Sequence, residues 1–74
     1  MPNLTFKKEI HLIENEVTYL KLLCAEKSTK EIAEIMELSP RSIERIRDVA
    51  KMKIGVMMTA GLVIYAIKAK IVEV

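Results

Sequence analysis

Residues 28–46, STKEIAEIMELSPRSIERI, contain two helix starts separated by a very short break. Ser28 followed three residues later by Glu31 is a capping box, in which each side chain accepts the backbone N–H of the other residue. Ser39 followed by Pro40 marks a second start, because proline fits the first helical position, where its missing N–H costs nothing. The stretch therefore predicts two successive helices joined by only a few residues.

Helical periodicity and end signals on both sides of this stretch complete an all-α domain of four helices. Asn15 is the expected N-cap of the first helix, and Gly55 is expected to end the third. We interpret residues 1–11 as an N-terminal arm or linker and residues 12–74 as one folded domain. The expected helices are, in chain order, about Asn15 to Glu26, Thr29 to Glu37, Pro40 to Ile54 and Thr59 to Ala69.

Apolar residues at helical spacing indicate which side of each helix faces the core. In the first three helices these residues are Tyr19, Leu20, Leu23 and Cys24, then Ile32, Ala33, Ile35 and Met36, then Ile43, Ile46, Ala50 and Ile54. The fourth helix differs, because the apolar run from Leu62 to Ile67 leaves it without a polar side. Since a chain of 74 residues can cover only one face of that helix, the other face predicts a partner.

The short connection around Leu38 favours a helix-turn-helix, since it forces the second and third helices to cross sharply. Ala33 is small at the point where the two helices would approach most closely. An ordinary pair of helices in a bundle has the same spacing, and this alternative remains open from the spacing alone.

The outward side of the third helix follows from its rotation of about 100° per residue. With Ile43 toward the core, Arg41, Arg45, Asp48 and Met52 point away from it, with Glu44 at the edge. Long hydrogen-bonding side chains are what a helix in the DNA major groove needs. A merely solvated surface has the same character, so this side indicates DNA binding only together with the capped helix start before it.

The charge distribution also favours DNA binding, and the composition disfavours a membrane span, a metal site and an enzyme. Residues 1–37 carry five Lys/Arg and seven Asp/Glu, whereas residues 38–74 carry seven Lys/Arg and three Asp/Glu, and a local basic excess attracts phosphates.

The longest uncharged run, residues 54–67, covers roughly 21 Å as a helix, which is short of the roughly 30 Å of a bilayer core. His11 and Cys24 belong to no Cys/His cluster at metal-ligand spacing, so the sequence predicts no metal site, and we expect no cofactor and no catalytic residues. Glu14 and Glu16 are expected to be solvated on a helix surface.

Several blocks in register resemble one known family. They are Leu12 with Glu16, Leu20, Leu22 and Leu23, then Ser28 to Ala33, Leu38 to Glu44, Lys53 to Val56, and Leu62, Val63 and Ala66. In these blocks the chain is similar to the LuxR-type (GerE-like) helix-turn-helix DNA-binding domain, as in the C-terminal effector domain of bacterial response regulators. The resemblance covers about Leu12 to Val72.

The resemblance implies a cytoplasmic transcriptional regulator whose third helix is the recognition helix in the major groove of double-stranded DNA. With the outward side described above, it assigns base contacts to Glu44, Arg45 and Asp48. The phosphate contacts are then Thr29, Lys30, Arg41, Ser42 and Lys51. The family also implies a homodimer through the fourth helix, assigned to Leu62, Val63, Ala66 and Ile67.

The resemblance further implies an upstream receiver or sensor domain and RNA polymerase as partners. The alternative function is a helix-turn-helix kept as a protein-interaction module that docks a receiver domain or RNA polymerase. The two acidic residues on the recognition side, Glu44 and Asp48, keep this alternative open.

Departures from the family pattern predict local differences. Ile13 stands where the family has a capping threonine before the first helix. Glu26 stands where the family has a glycine, so we expect the turn before the second helix to be strained or differently shaped. Met57, Met58 and Thr59 replace a polar turn, which is expected to remove a cap from the fourth helix and to expose apolar surface.

Overall fold

The computed structural model describes residues 10–73 and places four α-helices in them. These are α1 Glu14–Cys24, α2 Thr29–Met36, α3 Pro40–Ile54 and α4 Thr59–Lys68. Within residues 10–73 there is no strand, which confirms the predicted all-α fold. The predicted arm, residues 1–11, lies outside the described residues except for its last two.

The bounds of α3 are those expected from the sequence. The Ser39 hydroxyl oxygen accepts the backbone N–H of Ser42 at 3.1 Å, and Pro40 lies in the first turn. Gly55 ends the helix with φ 85°, a left-handed conformation that glycine adopts without steric cost. Local caps therefore fix both ends of the recognition helix.

A tight turn joins α2 to α3 and produces the predicted helix-turn-helix. Glu37 takes a left-handed φ of 58°, so α2 ends at Met36, one residue earlier than expected. The N–H of Leu38 then donates to the carbonyl of Ala33 at 2.9 Å. This closing bond satisfies an otherwise orphaned carbonyl at the end of α2 and turns the chain toward α3.

The start of α1 corrects two expectations. The N-cap is Ile13, not Asn15, and it offers no side-chain acceptor. Instead, the Glu16 carboxylate accepts the Ile13 N–H at 3.0 Å and the Lys53 ammonium at 2.8 Å. Glu16 is thus buried, at 3% exposure, where a solvated carboxylate was predicted, because Lys53 neutralises it there.

The core lies where the four helices meet, and α1 and α3 each contact all the others. Its buried apolar residues are Tyr19, Leu20, Ile32, Ala33, Ile43, Ala50, Leu62 and Ala66.

The prediction of an inward Ile35 was wrong, since 53% of this residue is exposed. It lies about 100° around the helix from the buried side of α2, and within residues 10–73 only α1 and α3 cover that helix.

Two connections show the departures expected from the sequence. Glu26, in the turn after α1, has a left-handed φ of 64°. Met58 caps α4 without a side-chain hydrogen bond.

In the first turn of α4, Gly61 lies so close to Val56 that a Cβ added to it would be 2.7 Å from the valine Cβ. This close approach sets the position of α4 against the end of α3.

Candidate nucleic-acid interface

The outer side of α3 forms one continuous surface. Ile43 and Ala50 are buried on the inner side, and so the helix presents the opposite side to solvent. A shallow depression of about 380 Å³ runs along that side. It is lined by Arg41, Glu44, Arg45, Asp48, Val49 and Met52. The structure thus brings the three predicted base-contacting residues, Glu44, Arg45 and Asp48, together in an exposed position.

An ion pair that was not predicted from the sequence changes the charge of this surface. The Arg47 guanidinium donates from Nε to Oδ1 of Asp48 at 3.0 Å, and this bond raises the pKa of Arg47. Burial raises the pKa of the core residue Tyr19, while the charge of Arg47 opposes this rise and that of Asp48 adds to it. The charge of Asp48 is therefore partly neutralised by Arg47. Adjacent opposite charges on a helix give no strong pairing signal in a sequence, because side chains at i and i+1 do not face each other.

The predicted phosphate contacts on α2 lie at its N-terminus. Thr29 and Lys30 are exposed in the first turn, directly after a complete capping box. The Glu31 N–H donates to the Ser28 hydroxyl oxygen at 3.1 Å, and the Ser28 N–H donates to the Glu31 carboxylate at 2.8 Å. The hydrogen bond from the Ser28 backbone N–H to the carboxylate lowers the pKa of Glu31, and the Ser28 hydroxyl adds a smaller effect in the same direction. The positive end of a helix dipole favours an anion at this position.

The remaining predicted phosphate contacts lie on α3. Arg41 is exposed, whereas Ser42 and Lys51 are half-buried. The Ser42 oxygen accepts from the Ser39 hydroxyl at 3.0 Å, which leaves the Ser42 proton to donate elsewhere. The phosphate-contact set therefore spans the start of α2 and most of the length of α3.

The ion pair between Lys53 and the buried Glu16 is a positioning element that was not predicted from the sequence. It joins the last turn of α3 to the first turn of α1, and the Glu16 side chain is 4% exposed. The partners are 37 residues apart in the chain. No local pattern links residues at that distance, and so only the tertiary structure reveals the pair.

The predicted dimer surface on α4 needs a correction. Leu62 and Ala66 are completely buried in the core of the single chain, so they have no exposed surface for a partner. The outer side of α4 instead carries Ile64 and Ile67, at 53% and 40% exposure, beside the half-buried Val63. The preceding turn exposes Met57 and Met58, as expected. We call Val63, Ile64 and Ile67 the outer α4 surface.

Other kinds of site find no support in the described residues. Within residues 10–73, no three His, Cys, Asp or Glu side chains come together in a way that could hold a metal ion. In the same range, no single helix is long and apolar enough to cross a membrane. Only α3 and α4 taken together reach the required length and composition, and they are bent by 62°.

The fold of α2 and α3 defines a helix-turn-helix domain. The model of a family described as bacterial regulatory proteins, luxR family (GerE), matches residues 11–66. The match covers most of the chain, and the protein therefore belongs to the luxR family, whose helix-turn-helix domains regulate transcription by binding DNA and are not enzymes. Comparisons with curated proteins and with solved structures found no match.

Proposed function

We propose that this domain binds a specific DNA sequence by inserting α3 into the major groove. The observation that carries the proposal is the exposed side of α3, where Glu44, Arg45 and Asp48 lie together while Ile43 and Ala50 anchor the opposite side. A recognition helix needs such a rigid base and a set of hydrogen-bonding groups that reach base edges.

Base recognition is divided among three side chains in this proposal. Arg45 donates two hydrogen bonds to a guanine, the commonest specific contact in the major groove. Glu44 or Asp48 accepts from a cytosine amino group. The ion pair with Arg47 at 3.0 Å supports the role of Asp48, because it reduces the repulsion between this carboxylate and the DNA phosphates.

Phosphate contacts supply most of the affinity and fix the register of the helix. We assign them to Thr29, Lys30, Arg41, Ser42 and Lys51. Their support is their position: the first two lie at the positive end of α2, and the others follow α3.

We further propose that the domain acts as a homodimer through the outer α4 surface. Pairing across a two-fold axis places two recognition helices on successive major grooves and predicts an inverted-repeat site. In this proposal residues 12–74 are the cytoplasmic output domain of a two-component or related regulator, and residues 1–11 are an arm or linker toward a receiver or sensor domain. RNA polymerase is the proposed target of regulation.

The test is selection of bound sequences from a random pool of double-stranded DNA. We expect an inverted repeat with a guanine in each half-site. The alternative, a module that docks a receiver domain or RNA polymerase, is supported by the two carboxylates on the recognition side, Glu44 and Asp48. Enrichment of no sequence, together with no salt-dependent binding to DNA, would favour that alternative.

A further inference from the structure

The outer side of α3 contains an apolar part that the proposed base contacts do not use. Val49 and Met52 line the same depression as Arg45 and Asp48. Met52 is 77% exposed, and Val49 is half-buried. Neither residue belongs to the buried core, which α3 supplies with Ile43 and Ala50. The fold therefore leaves this apolar pair available for contact with a bound ligand.

The DNA major groove offers one apolar group, the 5-methyl group of thymine, and apolar side chains recognise it by direct contact. The β-branched side chain of Val49 has few rotamers and gives a fixed edge. The thioether of Met52 is flexible and polarisable, and so it can close over a small group. We propose that Val49 and Met52 together bind the methyl group of a thymine in the DNA site. This inference rests on the proposed function.

The spacing along α3 predicts where that thymine lies. An α-helix rises 1.5 Å per residue, so Val49 and Met52 lie roughly 6 and 10 Å beyond Arg45 along the axis. Successive bases on one DNA strand are about 3.4 Å apart. The thymine is therefore expected about two to three base pairs from the guanine that Arg45 reads.

The experiment uses the sequence selected from the random pool and replaces each thymine in turn by deoxyuridine, which removes only the methyl group. Binding constants are measured for the full chain by fluorescence anisotropy. One replacement in each half-site, two to three base pairs from its guanine, is expected to weaken binding about fourfold, the effect of one buried methyl group. The other replacements are expected to change the Kd less than about twofold.

Three variants connect this loss to the two side chains. In Met52→Ala and in Val49→Ala the loss at that position is expected to shrink to less than about twofold, whereas Met52→Leu retains it. Met57→Ala is the matched control, because this methionine is 89% exposed outside α3, and it should retain the full loss. Met52 is so exposed that its truncation leaves the fold intact, which circular dichroism checks.

The outcomes separate the two proposals. If a site depends on Arg45 but no deoxyuridine weakens binding, or if the loss persists in both alanine variants, the thymine inference is wrong and the proposed function stands. If the pool yields no preferred sequence, both are wrong.

Discussion

Individual charged residues of α3 serve two different purposes. Lys53 pairs with the buried Glu16 at 2.8 Å and so orients the helix, while Arg47 pairs with Asp48 at 3.0 Å at the edge of the exposed surface. Within residues 10–73, neither of these pairs involves Arg45. Its guanidinium is therefore held in neither pair and can donate to a base, as the proposal requires.

Arg45→Ala is expected to remove the preference for guanine at one position of each half-site. A bidentate contact contributes about 1–3 kcal/mol of discrimination against the wrong base. The loss of discrimination is measured by competition between the selected site and a site in which that base is changed. Arg41→Ala is the control, because loss of a phosphate contact should weaken both sites alike. Unchanged discrimination in Arg45→Ala would remove this residue from the base-reading set.

Glu26→Gly is expected to stabilise the domain. Glu26 has a φ of 64°, and a left-handed conformation costs a residue with a Cβ about 1–2 kcal/mol. The greater freedom of glycine in the unfolded chain offsets part of this gain, so we expect a net increase of about 0.5–1 kcal/mol in the free energy of unfolding. Urea denaturation measures this change.

The control for Glu26→Gly is the same substitution inside a helix. Glu34 is exposed within α2, where a glycine costs about 1 kcal/mol. Equal destabilisation by both substitutions would show that the turn at Glu26 is not strained.

At the residue level, the sequence predicted most of the features that depend on near neighbours, although the expected N-cap at Asn15 was wrong. The caps at Ser28 and Ser39 and the stop at Gly55 were correct because each involves residues within three or four positions. The burial of Glu16 was missed because Lys53, which neutralises it, is distant in the chain. The site residues Glu44, Arg45 and Asp48 were placed on one surface by helical rotation alone, whereas their contacts with DNA stay predictions.

The four helices depend on a few close approaches for their mutual arrangement. α3 is the central element, since it contacts α1, α2 and α4. Sequence periodicity predicted its inner side, but it placed Ile35 of α2 wrongly because a pattern does not reveal how many neighbours cover a helix. The same limit applies to α4, where Leu62 and Ala66 proved to be core residues.

Gly61→Ala is expected to destabilise the contact between the end of α3 and the start of α4. The new Cβ would lie 2.7 Å from the Cβ of Val56, and overpacking of this kind costs about 1–3 kcal/mol. For a domain of this size the melting temperature should fall by roughly 4–8 °C for each kcal/mol. Ala60→Ser, one position earlier on an exposed site, should change stability by less than about 0.5 kcal/mol. A melting temperature equal to that of the wild type would show that α4 shifts freely at this point.

At the scale of the whole molecule, two regions of the surface formed by residues 10–73 carry the proposed interactions. The proposed base-contacting side chains lie along α3, and the exposed aliphatic side chains of α4 form the outer α4 surface. Exposed apolar patches on small domains often mark contacts with partners. This second region is where the proposed dimer forms.

Ile64→Glu is expected to weaken self-association and binding to a two-half-site DNA, while binding to one half-site is kept. The substitution places a charge within the apolar outer α4 surface, where an unpaired charge is costly in an interface. Ile35→Glu is the matched control, because both isoleucines are 53% exposed and Ile35 lies on α2. Sedimentation velocity over a range of concentrations measures the association. A wild type that is monomeric throughout and binds one half-site as well as two would contradict the dimer.

The most direct test of sequence-specific DNA binding compares the selected site with a scrambled DNA of equal length over a series of salt concentrations. We predict that the selected site binds at least about 10³-fold more tightly at physiological salt. Binding to both DNAs should weaken as salt rises, because phosphate contacts release counterions. Equal affinity for the two DNAs at every salt concentration, or no binding to either, would contradict the account.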